Sequence, residues 1–422
     1  MRSLLKQSGY GITAGFLQVS RLGSTLLAAS LLGPEVFSPW LLITSIISYS
    51  MFAQLGVTNG LYRELPVALG AGDQETANIL FVTGRKFLLW LSVVLLALLV
   101  TFCFFCNWRQ PQVVILLSVF LVLVNQFYTF QLAVSHSYFN FRRVTIHMGA
   151  FAFLLPILTW YGVYWAGLSG FLLAQTGLMF ISILFLGNNN PRASATFSRA
   201  FLRLMIRTGI PISLAGLFFS ILTSMDRWVI SHYMGKQILG QYALAVFCVN
   251  SLALLTKMIS PQFYSRMSFL FGETGDVTSL RKLVFSQFWA NMLVMVTIAF
   301  FFWLFVEPAV HQWMPAYLPG IAAARMVMLG VVFLGCVNPF AAMMNASGNN
   351  RAYLIVQIVG LLGLFSLLIF SVKVYGSLWA VSVATAAGYC LYMFMIVGTG
   401  LYVLYRRAPI IAEPMEAKMG AP

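Results

Sequence analysis

Twelve apolar stretches of about 20 residues, joined by links too short to fold on their own, run through this 422-residue chain. A stretch of that length crosses the ~30 Å hydrocarbon core of a bilayer as one helix. Lipid offers no partner for backbone N–H and C=O groups, so such stretches satisfy them internally, as helices. The sequence therefore predicts an all-α polytopic membrane protein. Its transmembrane helices fall near 10–32, 38–60, 82–106, 112–138, 144–165, 168–187, 208–232, 240–265, 283–306, 321–345, 353–372 and 377–404. Only 8% of residues are charged, against the ~25% of a soluble protein. Met1–Lys6 leads straight into the first run without a small-residue cleavage site, so that run is expected to remain as a helix.

A net charge of +15 would suit nucleic acid if the cations clustered, but their positions follow membrane topology. With the N-terminus in the cytoplasm, 18 of the 25 Lys and Arg fall on the cytoplasmic side. Three fall outside (Arg109, Lys236, Lys373), and four lie within spans (Arg21, Arg227, Lys257, Arg325). Such a bias sets orientation. Both termini are expected in the cytoplasm, and no basic patch is left for nucleic acid.

Two short turns repeat each other. Leu31-Leu32-Gly33-Pro34-Glu35-Val36-Phe37 is matched 202 residues later by Tyr233-Met234-Gly235-Lys236-Gln237-Ile238-Leu239. Arg63 with Gly72-Asp73 is matched by Arg266 with Gly275-Asp276 at an offset of 203. Two anchors at nearly one period indicate an internal duplication. Six helices per copy give parallel repeats, with a substrate path between them. The expected organisation is an N-lobe over 1–187, a basic linker over 188–207, a C-lobe over 208–405 and a cytoplasmic tail over 406–422. In the linker, Arg199, Arg203 and Arg207 recur every four residues opposite Phe197, Phe201, Leu204 and Met205. That pattern suits a short amphipathic helix on the cytoplasmic lipid surface, or an ordinary positive-inside loop. Gly56-x-x-x-Gly60 is a small-residue face, expected to pack within the first bundle.

Neither a nucleotide-binding loop nor a Cys/His cluster with metal-ligand spacing occurs, so no cofactor and no metal is expected. Cys103-x-x-Cys106 has no second pair and is assigned to packing. His136, His147, His232 and His311 are scattered and assigned to packing or interfaces. No long outer loop offers room for a catalytic domain, so the chain is not expected to be an enzyme.

The charges inside the spans are the informative set. Arg21 lies 13 residues into its run, which is ~20 Å deep at the rise of a helix. A cation there costs at least ~2.5–3.5 kcal/mol unless it meets a partner or a water-filled cavity. Lys257 lies about two turns from the cytoplasmic end of its helix, while Arg227 and Arg325 lie near the outer face, within snorkelling reach. Asp226 is the one carboxylate clearly within a span, able to hold Arg21 or Lys257 or to carry a proton. Four cations against one anion leave a positive interior suited to a phosphate or diphosphate. Gln18, Gln54, Asn59, Asn125, Gln126, Gln131, Asn250, Asn338 and Asn345 are candidates to line the same path.

The turn at Leu31–Trp40, then Gly60-Leu61-Tyr62-Arg63-Glu64-Leu65 and Gly70-Ala71-Gly72-Asp73, resembles oligosaccharide flippases. So does Met225-Asp226-Arg227-Trp228-Val229-Ile230-Ser231 through Gly240-Gln241-Tyr242-Ala243-Leu244. These belong to the multidrug/oligosaccharidyl-lipid/polysaccharide flippase superfamily, and the resemblance extends over essentially the whole chain. It implies two six-helix lobes in a V, with a central cavity that opens to each side of a bacterial inner membrane in turn. Its polysaccharide members flip undecaprenyl-diphosphate-linked oligosaccharide to the outer leaflet for O-antigen, capsule, common-antigen or exopolysaccharide assembly. Polymerase and chain-length proteins of the same pathway, and membrane lipids, are the implied partners. Carried onto this sequence, Arg21 and Arg227 would receive the diphosphate, with Lys257 and Arg325 as further cavity cations and Asp226 as charge partner or coupling group. Two helices found in the peptidoglycan-precursor flippases are absent, which argues against that substrate. The alternatives are a cation-coupled multidrug or metabolite exporter, and a membrane polysaccharide polymerase or glycosyltransferase. Exporters of cations often use an acidic residue in the N-terminal lobe, and none is expected within those spans.

Overall fold

The computed structural model describes residues 2–70, 73–105, 112–138, 141–187, 196–258, 263, 267, 270, 274, 276–347 and 349–405. Its helices are α1 (Arg2–Ala53), α2 (Val57–Gly70), α3 (Gln74–Phe105), α4 (Gln112–Ser137), α5 (Phe141–Gly187), α6 (Arg199–Leu222) and α7 (Met225–Tyr233). They continue as α8 (Lys236–Gln241), α9 (Ala243–Met258), α10 (Arg281–Trp313), α11 (Ile321–Gly335), α12 (Asn338–Ala346), α13 (Asn350–Tyr375) and α14 (Leu378–Tyr405). Short 3-10 turns stand at Val277–Leu280 and Pro315–Gly320, and no strand occurs among the described residues.

Nine helical segments among the described residues are long and apolar enough to cross a membrane. Two are double length: Thr13–Ala53 has 41 residues and Arg142–Gly187 has 46. At 1.5 Å per residue these measure ~60 and ~70 Å, about twice a hydrocarbon core. Each is broken near its middle, at Gly33 in α1 and at Ala166-Gly167 in α5, so each supplies two spans. The nine segments thus supply eleven of the expected spans, and α8 with α9 covers the remaining one, 240–265, as far as Met258. The protein is an all-α, multi-pass membrane protein.

The duplicated turns share one backbone conformation. Gly33 has φ 75 and ψ 169, and Gly235 has φ 87 and ψ 176. That region is almost closed to residues with a Cβ, which is why glycine stands at both turns. The second anchor repeats as well. Asp73 accepts the Thr76 N–H at the start of α3 (2.9 Å), and Asp276 accepts the Thr278 N–H at the start of the 3-10 turn that leads into α10 (2.9 Å). Each carboxylate caps a helical N-terminus. The capping bonds, Thr76 first for Asp73 and Thr278 first for Asp276, hold both carboxyls below the usual carboxylate range.

By contacts the chain forms two compact units, Met1–Phe247 with Glu307–Ile321 and Cys248–Val306 with Ala322–Pro422. The first has one core where Leu61, Leu80, Phe81, Leu88 and Phe130 meet Met205, and another where Leu17 meets Phe151, Leu155 and Leu178. In the second, α13 and α14 pair along their length, burying Leu364, Tyr389 and Tyr392.

Two expectations change. The arginines of the basic stretch are not on a separate surface helix, because α6 runs unbroken from Arg199 to Leu222. Arg199, Arg203 and Arg207 are exposed, while Phe201, Leu202, Met205 and Ile206 pack on the core of α2, α3 and α4. Phe197 and Leu204 of the same stretch stay exposed, so protein covers only part of its apolar side. The Gly56-x-x-x-Gly60 face packs on α6, the first helix of the second repeat. A Cβ on Gly56 would stand 2.3 Å from the carbonyl carbon of Gly209, and one on Gly60 would stand 2.1 Å from the Met205 oxygen. Backbone touches backbone there, which only glycine permits. Residues 188–195, Arg109, Cys106, Pro261, Arg266, Gly72, Gly275, the side chains of Arg63 and Cys103, and the tail after Tyr405 lie outside the described residues.

Candidate functional site

The second half of α1 organises the site. After the break at Gly33 it carries a run of small hydroxyl residues, Thr44, Ser45 and Ser48, on faces that meet α6 and α7. Hydroxyls in a membrane helix bond their own preceding carbonyls and still accept from a neighbour. Ser45 does the first, donating to Leu41 (3.2 Å). It also does the second, because Arg227 reaches it from α7.

Arg227 is only 6% exposed. Its Nη1 donates to Thr44 Oγ1 (3.4 Å) and Ser45 Oγ (3.3 Å), and its Nη2 to the Thr223 carbonyl (3.4 Å). These bonds are longer than the 2.7–3.2 Å of well-formed N–H···O pairs. Its Nε is buried with no hydrogen-bond partner. A guanidinium removed from water and held by weak neutral acceptors retains strong affinity for an anion.

Asp226, 2% exposed, takes its hydrogen bonds from residues other than Arg21. Its Oδ2 accepts the Tyr242 hydroxyl (2.6 Å) and its Oδ1 accepts the Arg227 backbone N–H (2.8 Å). Successive helical residues diverge by about 100°, so the carboxylate turns to Tyr242 while the guanidinium turns to α1. Two residues earlier, Ser224 bonds the Tyr49 hydroxyl, which also accepts the Trp228 indole N–H (3.2 Å).

Arg21, partly exposed, lies over the ring of Phe151 at 5.3 Å, between α1 and the first half of α5. Beside it His147 is buried against Phe151 and within 3.2 Å of the Tyr128 hydroxyl, a packed histidine as the sequence suggests. Arg325 belongs to the second unit, with its guanidinium 5.3 Å from the Trp303 ring centre and Nη2 donating to the Trp303 carbonyl (3.4 Å). The side chain of Lys257, on α9, lies outside the described residues. Among the described residues no group of three His, Cys, Asp or Glu could hold a metal.

The amides named from the sequence divide. Gln54 donates to Gln126 and accepts from Thr58, while Asn125 donates to Met51 Sδ (3.7 Å). Asn59 donates to Ser213 Oγ (2.9 Å). Asn250 and Asn345 are exposed. Two features escaped sequence reasoning. Tyr242 is the Asp226 partner, lying 16 residues away across a turn. Glu64 sits on α2 and accepts from Thr208 (3.2 Å), whereas the sequence places it in a loop beyond the second span.

No family model matches this sequence, and no curated relative does. Solved structures match over nearly the full length. An inward-facing multidrug resistance MATE family transporter of the MOP superfamily aligns with a TM-score of 0.80 at 17% identity, over 92% of this chain and 94% of that one. An outward-facing structure of a multidrug resistance MATE family transporter gives 0.70 at 17% identity, over 94% and 95%. A MATE in complex with MaL6 gives 0.70 at 16%, over 94% of both chains. The chain has the fold of the MATE transporters of the MOP superfamily.

Proposed function

We propose that this protein is a flippase for undecaprenyl-diphosphate-linked oligosaccharide in a bacterial inner membrane, working by alternating access. Arg227 is the residue on which this reading turns. Its burial, its long bonds to hydroxyls and its unpartnered Nε describe a cation prepared for an oxyanion. Thr44 and Ser45 add hydroxyls that can turn from accepting the guanidinium to donating to phosphate. Arg21, deep in the first span, is proposed as a second cation on the substrate's route, and Lys257 and Arg325 as weaker ones. The resemblance of the sequence to oligosaccharide flippases suggests the substrate class, and the MATE fold is a scaffold on which it can be carried.

The test is binding of farnesyl diphosphate, a short soluble prenyl diphosphate, to the purified protein, together with polysaccharide export in cells. Arg227→Gln and Arg21→Ala are expected to lower export with the protein still inserted and abundant, and Arg227→Gln to lower the affinity. Normal export from both variants would overturn the reading.

A cation-coupled exporter is the second reading, and Glu64 favours it. An acidic side chain on α2 in the first repeat is what such exporters often use, and the solved neighbours include multidrug resistance transporters. Asp226 serves this reading less well, being enclosed by Tyr242 and the Arg227 N–H. If Glu64→Gln abolishes efflux of cationic dyes while Arg227→Gln leaves it intact, the exporter reading replaces the first.

A further inference from the structure

The break between α1 and α2 opens a pocket that the cation site does not use. Leu55 (φ 49) and Gly56 (φ 76) both turn left-handed, ending α1 and starting α2 on a new axis. Against α6 the break leaves a space of about 320 Å³, lined among others by Phe52, Gln54, Thr58, Asn59, Ser213 and Ser220. That volume is at the small end of ligand pockets, enough for a single ring and not for a chain of them. No lining side chain is charged.

The polar groups are ordered in two tiers. Gln54, buried, accepts from Thr58 and donates to Gln126, whose amide donates to the Ser50 carbonyl. That tier forms a fixed rear wall. In front, Asn59 is exposed and spends one N–H on Ser213 Oγ (2.9 Å). The pair then presents the Asn59 carbonyl as acceptor beside the Ser213 hydroxyl hydrogen as donor. Adjacent acceptor and donor match a vicinal diol, in which each hydroxyl both gives and takes a hydrogen bond. Phe52 adds an apolar wall, and Gly216 keeps its edge open: a Cβ there would lie 3.4 Å from the ring. Phe52 is seven residues beyond Ser45, so it sits two turns along one face of α1, ~10 Å from the hydroxyl that Arg227 touches.

We infer that this pocket binds one uncharged sugar ring of the substrate, the ring nearest the diphosphate. Asn59 and Ser213 read its hydroxyls, and Phe52 supports its C–H face. The inference rests on the flippase reading, which places the diphosphate on Arg227.

The experiment measures binding to the full-length protein of farnesyl diphosphate alone and of farnesyl-diphosphate monosaccharides carrying glucose, galactose, N-acetylglucosamine, N-acetylgalactosamine or glucuronic acid. At least one neutral sugar is expected to tighten binding by about tenfold, the return of one to two net hydrogen bonds. Asn59→Ala, Ser213→Ala and Phe52→Ala should remove that gain and leave bare farnesyl diphosphate unchanged. Gly216→Ala, which makes only an ordinary contact and so preserves folding, should reduce it by filling the pocket. The inference is overturned if every sugar binds like bare farnesyl diphosphate, if glucuronic acid binds best, or if the pocket variants weaken bare farnesyl diphosphate equally. Failure of the flippase reading looks different: bare farnesyl diphosphate would not bind, or would bind Arg227→Gln as well as the wild-type chain.

Discussion

Replacing Arg227 separates a ligand from a structural ion, because the two roles predict opposite balances of stability and binding. The side chain donates three bonds of 3.3–3.4 Å, all to neutral oxygens. Bonds of that length belong at the weak end of the ~0.5–1.5 kcal/mol that a typical net hydrogen bond contributes. Removing the buried charge relieves its own desolvation cost but takes a cation from beside buried Asp226, whose bonds to Tyr242 and to the backbone N–H of residue 227 remain. Arg227→Gln should therefore change folding stability by no more than ~1–2 kcal/mol, within a few degrees of Tm for a chain of this size. Binding should respond more strongly. Two charge-assisted bonds to a diphosphate, at ~1.5–3 kcal/mol each, correspond to a loss of about two to four orders of magnitude in affinity. Arg227→Lys keeps the charge without the planar fork and should fall between. Titration calorimetry with farnesyl diphosphate, paired with thermal unfolding in the same detergent, reads both quantities. The reasoning fails if Arg227→Gln binds within twofold of wild type. It fails equally if the double variant Arg227→Gln/Asp226→Asn recovers affinity lost in the single one, since Arg227 would then be only a counter-charge for its neighbour.

Three further outcomes are expected. Gly60→Leu or Gly209→Leu should prevent accumulation of folded protein, since even a Cβ at these positions would meet opposing backbone within 2.1 Å; normal yield and Tm would refute the α2–α6 crossing. Reporter fusions after Arg199 and after Lys236 should report from opposite sides of the membrane, and a shared side would break the twelve-span topology. The capping carboxyls Asp73 and Asp276 titrate below their usual range, so their stabilisation is present above that range and lost as pH falls through the depressed pKa. Asp73→Asn should accordingly leave the shape of the transport profile between pH 5 and 8 unchanged, and an altered profile there would assign Asp73 a different role.

Length and hydropathy alone determine the spans, because a ~30 Å apolar layer admits little else than helices of about 20 residues. The duplication is equally legible at Gly33 and Gly235, where one backbone conformation demands the same residue twice. The intramembrane charges can be named from sequence too, since each carries a cost that marks it. Their neighbours cannot. Which way a side chain turns depends on helix rotation and on who packs beside it, and neither leaves a local trace. Asp226 and Arg227 are adjacent in sequence, yet one faces Tyr242 and the other faces α1. The arginines of 199–207 read equally as a lipid-surface helix or a positive-inside loop, and only the tertiary structure shows Phe201 and Met205 packed on protein while Phe197 and Leu204 stay exposed. Glu64 reads as a loop residue because hydropathy falls after Gly60. Tertiary structure keeps that segment helical, since the backbone of α6 presses against Gly56 and Gly60 and holds α2 in place.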